Sequence, residues 1–243
     1  MELKNCVALV TGGAVRLGKA LSLALAGEGV RLVLHYNSSS APAERTAAEI
    51  EALGSDALTV QADLARPGQA ELLVGRAVSH FGQLDILINS AAIFVPSDLA
   101  HTTEQLWDQH FAINLKSPFF LSQAFAAQVG KERQARIANI ADWRGLRPDT
   151  GYLAYSLTKA AVLAMTKGLA LALAPNILVN AIAPGAILPP PGKSQEYLDQ
   201  LASNIPARRV GSPAEIARTM LFLVKSDFVT GEAIFVTGGE HLT

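Results

Sequence analysis

The sequence predicts an α/β fold, a single doubly wound domain in which helices cover both faces of a parallel sheet. Short apolar runs rich in β-branched residues alternate with helix-like segments along the whole chain. The chain has 243 residues, 50% of them hydrophobic, which is enough for one large core. Since no linker, repeat or low-complexity block divides it, residues 1–243 are expected to fold as one domain.

Seven apolar segments predict the strands, because each is short, β-branched or aliphatic, and followed by small, polar or turn-forming residues. In chain order they are CVALVT (6–11), VRLVLHY (30–36), DALTVQAD (56–63), LDILINSAA (84–92), ARIANIA (135–141), NILVNAIAPG (176–185) and EAIFVTGG (232–239). Segments with helical spacing connect them, and two glycines suited to a C-cap close the first. These helices are residues 16–29, 42–53, the stretch after Pro67, 104–129, 151–174 and 213–224.

Residues 186–209 lose the regular pattern. Three prolines, Pro189 to Pro191, precede a predicted short helix in this segment. A long irregular connection inside a compact domain is typical of a loop that covers a site. We therefore expect residues 186–209 to form a substrate loop.

Composition excludes several classes of protein. The formal net charge of −1 and the pI near 6.5 argue against a nucleic-acid surface. Cys6 is the only cysteine, so neither an internal disulfide nor a cysteine-based metal site can form, and the five histidines lack metal-ligand spacing. The single cysteine indicates a reducing compartment. Together with the absence of a signal-peptide pattern, this predicts a cytoplasmic protein. Residues 160–174 are too short for a membrane span and carry Lys167, which predicts a buried or interface helix.

The stretch TGGAVRLG, residues 11–18, lies between the first strand and the first helix. Gly12 and Gly18 permit a tight turn and close packing of the helix, whose N-terminus can hold a diphosphate. The spacing departs from the GxGxxG fingerprint, and Arg16 stands where such loops usually have no side chain. By itself this motif is a weak signal.

The second strand ends in HYNSSS, with no acidic residue to hold a ribose 2′-hydroxyl. His35, Ser38 and Ser39 can instead donate hydrogen bonds to a 2′-phosphate, which favours NADPH over NADH. The alternative is an ordinary polar loop.

Tyr155 and Lys159, in the sequence YSLTK, are four residues apart and so share one helix face. An ammonium group near a phenol stabilises the phenolate and makes the phenolic proton transferable nearer neutral pH. The motif alone is common by chance.

Together these motifs, with NSAA at 89–92, Asn114 and Pro184-Gly185, resemble in order and spacing the short-chain dehydrogenase/reductase family over nearly the whole chain. The resemblance implies a Rossmann-like seven-stranded sheet, a nicotinamide cofactor, and catalysis by Asn114, Tyr155 and Lys159. It also implies contact of Asp63 with adenine and association of the helices at 104–129 and 152–174 into a homo-oligomer, with a tetramer favoured. The positions implied to bind cofactor are Thr11, Gly12, Arg16, Leu17, Gly18, His35, Tyr36, Ser38, Ser39, Asp63, Leu64, Asn89, Ala91, Tyr155, Lys159, Pro184 and Gly185.

The chain departs from the family pattern where a serine normally precedes the tyrosine, because NIADWRG places Asp142 there. An ionised carboxylate only accepts hydrogen bonds, so it suits a substrate that presents N–H groups, or it acts protonated beside Tyr155. With Asp142 at the serine position and Arg16 in the glycine-rich loop, the chain resembles the pteridine reductase branch of the family. Phe94 aligns with the phenylalanine that those enzymes stack on the pterin.

The resemblance implies NADPH-dependent reduction of pterins, including dihydrofolate, by hydride transfer to a ring C=N. Arg16, Phe94, Asp142 and Tyr155 would contact the substrate, and Asp142 would join the catalytic residues. This chain differs from the pteridine reductase branch at three positions. It has Ser38 where the branch has an arginine and Ala92 where the branch has a serine, and it lacks the threonine that follows Gly185 in the branch. Two alternatives are a carbonyl reductase of the 3-oxoacyl or sugar type and a non-catalytic NADPH-binding regulator.

Overall fold

The structure, a computed structural model, describes residues 1–130, 133–190 and 192–243, so Pro191 of the predicted proline run lies outside the described residues. Seven parallel strands form one sheet in the order β3-β2-β1-β4-β5-β6-β7. Their bounds are β1 Val7–Val10, β2 Arg31–Tyr36, β3 Ala57–Gln61, β4 Ile86–Asn89, β5 Ala135–Ile140, β6 Ile177–Pro184 and β7 Ala233–Val236. The single doubly wound domain with a seven-stranded parallel sheet is therefore confirmed.

Helices follow the strands as predicted, with ends that differ by a few residues. They are α1 Arg16–Gly27, α2 Ser40–Ala52, α3 Gln69–Phe81, α4 Glu104–Phe111, α5 Ser117–Gln128, α6 Leu153–Leu173, α7 Gln195–Ala202 and α8 Pro213–Lys225. The short helix α7 lies in the predicted substrate loop. Two 3₁₀ turns, Trp143–Gly145 and Glu240–Leu242, were not predicted from the sequence.

The core lies on both faces of the sheet, and β1 shows why. All four of its residues are buried, and alternate side chains of a strand point to opposite faces. Ala8 and Val10 join a cluster with residues of α1, α2 and α8, whereas Val7 and Leu9 pack with residues of α3 and α5. A strand buried on both faces therefore appears in the sequence as a continuous apolar run.

The predicted helix at 104–129 is interrupted by a π-helical turn, Ala112–Lys116, between α4 and α5. Pro118 has no backbone N–H and cannot donate the regular i to i−4 bond, so a regular α-helix is broken just before it. The turn carries Asn114 inward, where its side chain is buried.

Helix α6 is long and apolar enough to cross a membrane by length and composition alone. In the structure it packs against β6, and its first turns carry Tyr155 and Lys159 into the interior. The whole helix has 21 residues, so the expected shortness of residues 160–174 does not hold for it; its packing against β6 makes it a helix of the folded domain.

Sheet order creates the crevice in which the predicted site residues lie. Strand β1 pairs with β2 on one side and with β4 on the other, so the chain reverses its winding direction between β1 and β4. In sheets of this type ligands bind at that reversal, outside the carboxyl ends of the strands.

Candidate active site

The glycine-rich loop leads from β1 to α1 and depends on the absence of a side chain at Gly18. A Cβ atom there would lie 2.1 Å from the backbone oxygen of Gly12, far inside the van der Waals distance. The start of α1 therefore packs directly on the loop, and the N-terminus of α1 faces the crevice, as required for holding a diphosphate.

Two predicted cofactor contacts, Thr11 and His35, support this loop. The Thr11 hydroxyl is buried and accepts hydrogen bonds from the backbone N–H groups of Ser90 and Ala91, at 2.9 and 3.0 Å. His35 accepts a hydrogen bond from the Gly12 N–H at Nδ1, and its Nε2 lies 3.0 Å from the Ala62 carbonyl.

The expectation that His35 bonds directly to a 2′-phosphate stays a prediction, and this geometry argues against it. Both ring nitrogens already have partners, and burial lowers the pKa of the ring, which disfavours the charged form that would attract a phosphate. Asn89, another predicted cofactor contact, is buried and donates to Asn139 Oδ1 at 2.9 Å within the core.

A cavity of about 310 Å³, which we call the loop cavity, lies beside the glycine-rich loop. Several predicted cofactor contacts line it. At the end of β2 the lining contains the predicted His35 and also Asn37, but not Tyr36, Ser38 or Ser39. The hydroxyl of Ser39, at the N-cap of α2, makes no capping bond. The predicted cofactor residues in its lining are Gly12, Arg16, Leu17, Gly18, His35, Asp63, Leu64 and Ala91.

A second cavity of about 220 Å³, the central cavity, reaches Tyr155, Lys159, Pro184 and Gly185. A third, the outer cavity, has a volume of about 310 Å³ and is lined by Phe94, Asp142 and residues of the substrate loop. Arg16 and Ala92 line all three cavities. The structure thus places Arg16 at the junction of the predicted cofactor and substrate sites.

The centre of the site is a hydrogen bond of 2.9 Å from the Tyr155 hydroxyl to Asp142 Oδ2. The other carboxylate oxygen, Oδ1, accepts from the backbone N–H of Arg144 at 2.8 Å, and the Arg144 guanidinium lies 3.6 Å from it. Close approach at Gly145 positions this segment, since a Cβ there would lie 2.8 Å from the backbone of Lys159.

The electrostatics of Tyr155 differ from the prediction. Burial raises the pKa of the phenol well above its usual value, and the neighbouring Asp142 carboxylate raises it further, with Arg144 opposing them. Burial and Asp142, and not the expected effect of Lys159, therefore determine the direction of this pKa shift. Burial also lowers the pKa of Lys159 to about 8.

Lys159 lies beneath the tyrosine, with Nζ 5.5 Å from the centre of the Tyr155 ring and 2.7 Å from the Ile140 carbonyl oxygen, to which it donates. Asn114 acts through the backbone. Its side chain accepts from the Ile93 N–H at 2.9 Å and donates to the Ile93 carbonyl at 3.0 Å. This pairing fixes the segment just before Phe94, and Asn114 itself lies in the π-helical turn.

Phe94 lies in the outer cavity between two tyrosines. Tyr152 stacks on it with a centroid separation of 4.1 Å and an interplanar angle of 1°, and Tyr155 meets it edge-on at 4.7 Å. Such contacts hold the ring in one orientation.

The sequence interpretation missed Arg144 and Glu240, both of which line the outer cavity. Arg144 donates to Asp149 Oδ2 at 3.2 Å, and the carboxylates of Asp142 and Asp149 outweigh the effect of burial and raise its pKa. Only the position of Arg144 beside Asp142 could have suggested a role. Glu240 lies 98 residues beyond Asp142 in the chain (240 − 142 = 98), and no motif marks it.

Among residues 1–130, 133–190 and 192–243, no group of three or more His, Cys, Asp or Glu side chains is arranged to hold a metal ion. A glycine-rich loop at the switch point of a doubly wound sheet, continuous with a buried tyrosine and lysine, defines a nucleotide-dependent oxidoreductase.

Comparisons with known proteins agree with that class. A family model described as "Enoyl-(Acyl carrier protein) reductase" matches residues 13–241. The 3-oxoacyl-[acyl-carrier-protein] reductase FabG of Staphylococcus aureus strain Mu50 is 36% identical over 240 residues, which cover 97% of this chain and 98% of FabG. The subunit BbsD of the (2S)-[(R)-hydroxy(phenyl)methyl]succinyl-CoA dehydrogenase of Thauera aromatica is 35% identical over 252 residues, 100% of this chain and 99% of BbsD.

Two solved structures are similar over the full chain. FolM Alternative dihydrofolate reductase 1 from Brucella canis, complexed with NADP, has a TM-score of 0.93 and 36% identity, with 100% of this chain and 97% of that chain covered. The same protein from Brucella suis, also with NADP, has a TM-score of 0.94, 36% identity and the same coverage. The chain belongs to the short-chain dehydrogenase/reductase family, as its motifs predicted.

Proposed function

We propose that the protein reduces pterins with NADPH, by hydride transfer to a ring C=N and proton transfer to a ring nitrogen. The observation that carries the proposal is the bond from the Tyr155 hydroxyl to Asp142 Oδ2 in the wall of the outer cavity. The FolM structures, whose name includes a dihydrofolate reductase activity, support the same substrate class.

Asp142 favours a nitrogen heterocycle over a ketone. The Arg144 guanidinium lies 3.6 Å from Oδ1 of Asp142, and a carboxylate at this position accepts hydrogen bonds and repels a carbonyl oxygen. A pterin ring offers N–H groups to such a carboxylate. A ketone offers only an acceptor.

The cavities fit NADPH. The loop cavity provides the N-terminus of α1 and Arg16 for the diphosphate, and Asp63 and Leu64 for the adenine. Asn37, Ser38 and Ser39 would meet the 2′-phosphate with neutral hydrogen-bond donors. Lys159, Pro184 and Gly185, together in the central cavity, would hold the nicotinamide ribose. NADPH supplies the hydride when it is bound there.

Tyr155 would supply the proton, and Asp142 would orient the hydroxyl that carries it. The raised pKa of Tyr155 keeps the phenol protonated at neutral pH, so a proton is present at its oxygen when ring nitrogen needs one. Asp142 orients that hydroxyl, and the ammonium of Lys159 opposes build-up of negative charge as the proton leaves.

Phe94 and Arg16 would position the flat ring. Tyr152 covers one face of Phe94, and the pterin would stack against the part of the ring that lines the outer cavity. Arg16, at the junction of the cavities, would contact both the cofactor diphosphate and the pterin.

Two other functions compete with this one. A 3-oxoacyl reductase is favoured by the identity with FabG, but Asp142 supplies no hydroxyl donor to a ketone. A non-catalytic NADPH-binding regulator would not need the buried Tyr155 and Lys159 to keep their arrangement.

The proposal is tested by following NADPH oxidation with dihydrobiopterin, dihydrofolate and a panel of ketones, including a 3-oxoacyl thioester. We expect the pterins to be turned over and the ketones to be inert. Asp142→Ser should lose about 10²-fold or more in pterin turnover, since it removes the proton-orienting group, and gain activity on ketones. Turnover of ketones alone by the unaltered protein would overturn the proposal.

We also propose a homo-oligomer, with a tetramer favoured. Aromatic side chains on the outer faces of α4 and α5 stay exposed, and soluble monomers rarely expose a large apolar patch. They are Trp107, Phe119 and Phe120, exposed to 38, 42 and 38%. Light scattering coupled to size-exclusion chromatography measures the mass of the assembly, and the mass of a monomer would contradict the proposal.

A further inference from the structure

Glu240 is an acidic residue of the outer cavity that the proposed reaction does not use. It begins the C-terminal 3₁₀ turn and lines the cavity with Asp142 and Arg144. Its Oε2 accepts a hydrogen bond from the Ala186 N–H at 2.9 Å, whereas Oε1 has no partner among the described residues. One oxygen is thus fixed to the wall, and the other is available to a ligand.

The surroundings of Glu240 strengthen its bond to any donor that arrives. Burial raises the pKa of its carboxyl, and this outweighs the Ala186 N–H and Arg144, which lower it. A carboxyl that has lost part of its hydration gains more from a new donor than an exposed one does.

The cations of the outer cavity already have partners. Arg16 donates to the Pro189 carbonyl at 2.6 Å, and Arg144 donates to Asp149 at 3.2 Å while lying close to Asp142. Among the described residues lining this cavity, none is therefore an unpaired cation that would receive a carboxylate. Lys193 lies outside the lining, 5.7 Å from the Tyr197 ring centre.

The substituent of a bound ring must meet this part of the lining. Once the reducible edge lies at Tyr155 and Asp142, a side chain on the ring extends along the remaining wall, which contains Leu198, Leu201 and Glu240. There the leucines would contact hydrocarbon, and the Glu240 carboxylate would accept a hydrogen bond from a hydroxyl group. A tail that carries carboxylates meets a like charge instead.

We propose that Glu240 is a specificity-determining residue that favours pterins with a short, neutral, hydroxylated side chain over folates, whose tail ends in carboxylates. This inference rests on the proposed pterin reduction and names the substrate class of that same site.

The test compares kcat/KM for dihydrobiopterin and dihydrofolate at saturating NADPH in three forms of the full chain. Glu240→Gln keeps the size and an oxygen that can accept from Ala186, but removes the charge. Glu196→Gln, on the exposed face of α7, removes an equal charge outside the cavity lining. We expect Glu240→Gln to lower the dihydrobiopterin to dihydrofolate ratio about tenfold, through KM, and Glu196→Gln to leave it unchanged.

The outcomes separate the two proposals. An unchanged ratio in Glu240→Gln, with pterin turnover intact in the unaltered protein, overturns the role of Glu240 alone. Absence of pterin turnover in the unaltered protein, with ketones reduced, overturns the proposed function. Lys193→Met could lower dihydrofolate turnover while Glu240→Gln leaves the dihydrobiopterin to dihydrofolate ratio unchanged. In that case Lys193 binds the carboxylate tail, and the inference is wrong. Glu240→Asp, which keeps the charge, serves if Glu240→Gln does not fold, and we expect it to keep discriminating against dihydrofolate.

Discussion

The guanidinium of Arg16 donates a hydrogen bond of 2.6 Å to the carbonyl oxygen of Pro189. It thereby joins the glycine-rich loop to the substrate loop, 173 residues apart in the chain. The backbone of Arg16 has a φ of 51°, in the left-handed region that favours glycine. A side chain is kept at an unfavourable position, which indicates that the side chain has a use there.

Arg16→Gly tests that use. We expect the KM for pterin to rise about tenfold, because a hydrogen bond from a charged donor is lost. The melting temperature should not fall, since glycine accepts the positive φ without strain. Lys19→Met is the control: it removes a cation from the same part of α1, whose partner is Glu49, on the protein surface. Equal effects of the two substitutions on KM would contradict the junction role.

Tyr155→Phe separates an enzyme from a regulator. The substitution removes only the hydroxyl that donates to Asp142, so kcat should fall by about 10²-fold or more while NADPH affinity changes little. Stopped-flow turnover and fluorescence titration of NADPH measure the two quantities. A variant with unaltered kcat would show that the proton comes from another group, and one that loses NADPH affinity would place Tyr155 mainly in the cofactor site.

Much of the fold could be predicted because its physical signals are local. Buried parallel strands appear as largely apolar runs, and the carboxyl ends of those runs carry the site residues. Tyr155 and Asp142 were brought together as predicted, since Asp142 follows β5 and Tyr155 begins the next helix.

What could not be predicted depends on partners distant in the chain. A histidine at the end of β2 looks available to a phosphate until the fold places Gly12 and Ala62 against its two nitrogens. The pKa of Tyr155 likewise depends on burial and on Asp142 more than on the lysine four residues away. The place of Glu240 in the outer cavity could not be predicted because it depends on the C-terminal segment folding back to that cavity.

Lys159 predicts a pH dependence. Its ammonium has a pKa lowered to about 8 by burial, so the charged form is present below about pH 8 and is lost as the pH rises through that value. The kcat/KM for NADPH, which reports on the free enzyme, should therefore fall above about pH 8. Lys159→Arg keeps its charge over the whole range and should lack this alkaline limb, at a lower overall rate. An identical alkaline limb in both proteins would assign it to another group.

Gly18 and Gly75 form a matched pair for testing the glycine-rich loop. A Cβ at Gly18 would lie 2.1 Å from the Gly12 oxygen, whereas a Cβ at Gly75, inside α3, would have nothing within 4 Å. Gly18→Ala should move the start of α1 away from the loop, destabilise the fold by about 1–3 kcal/mol and weaken NADPH binding. Gly75→Ala should stabilise it by about 0.5–1 kcal/mol, since alanine has the higher helix propensity, and leave NADPH binding unaltered. Denaturant unfolding and NADPH titration measure both effects. Tight NADPH binding by Gly18→Ala would mean that the loop does not form the diphosphate site, and the assignment of the loop cavity to the cofactor would fall with it.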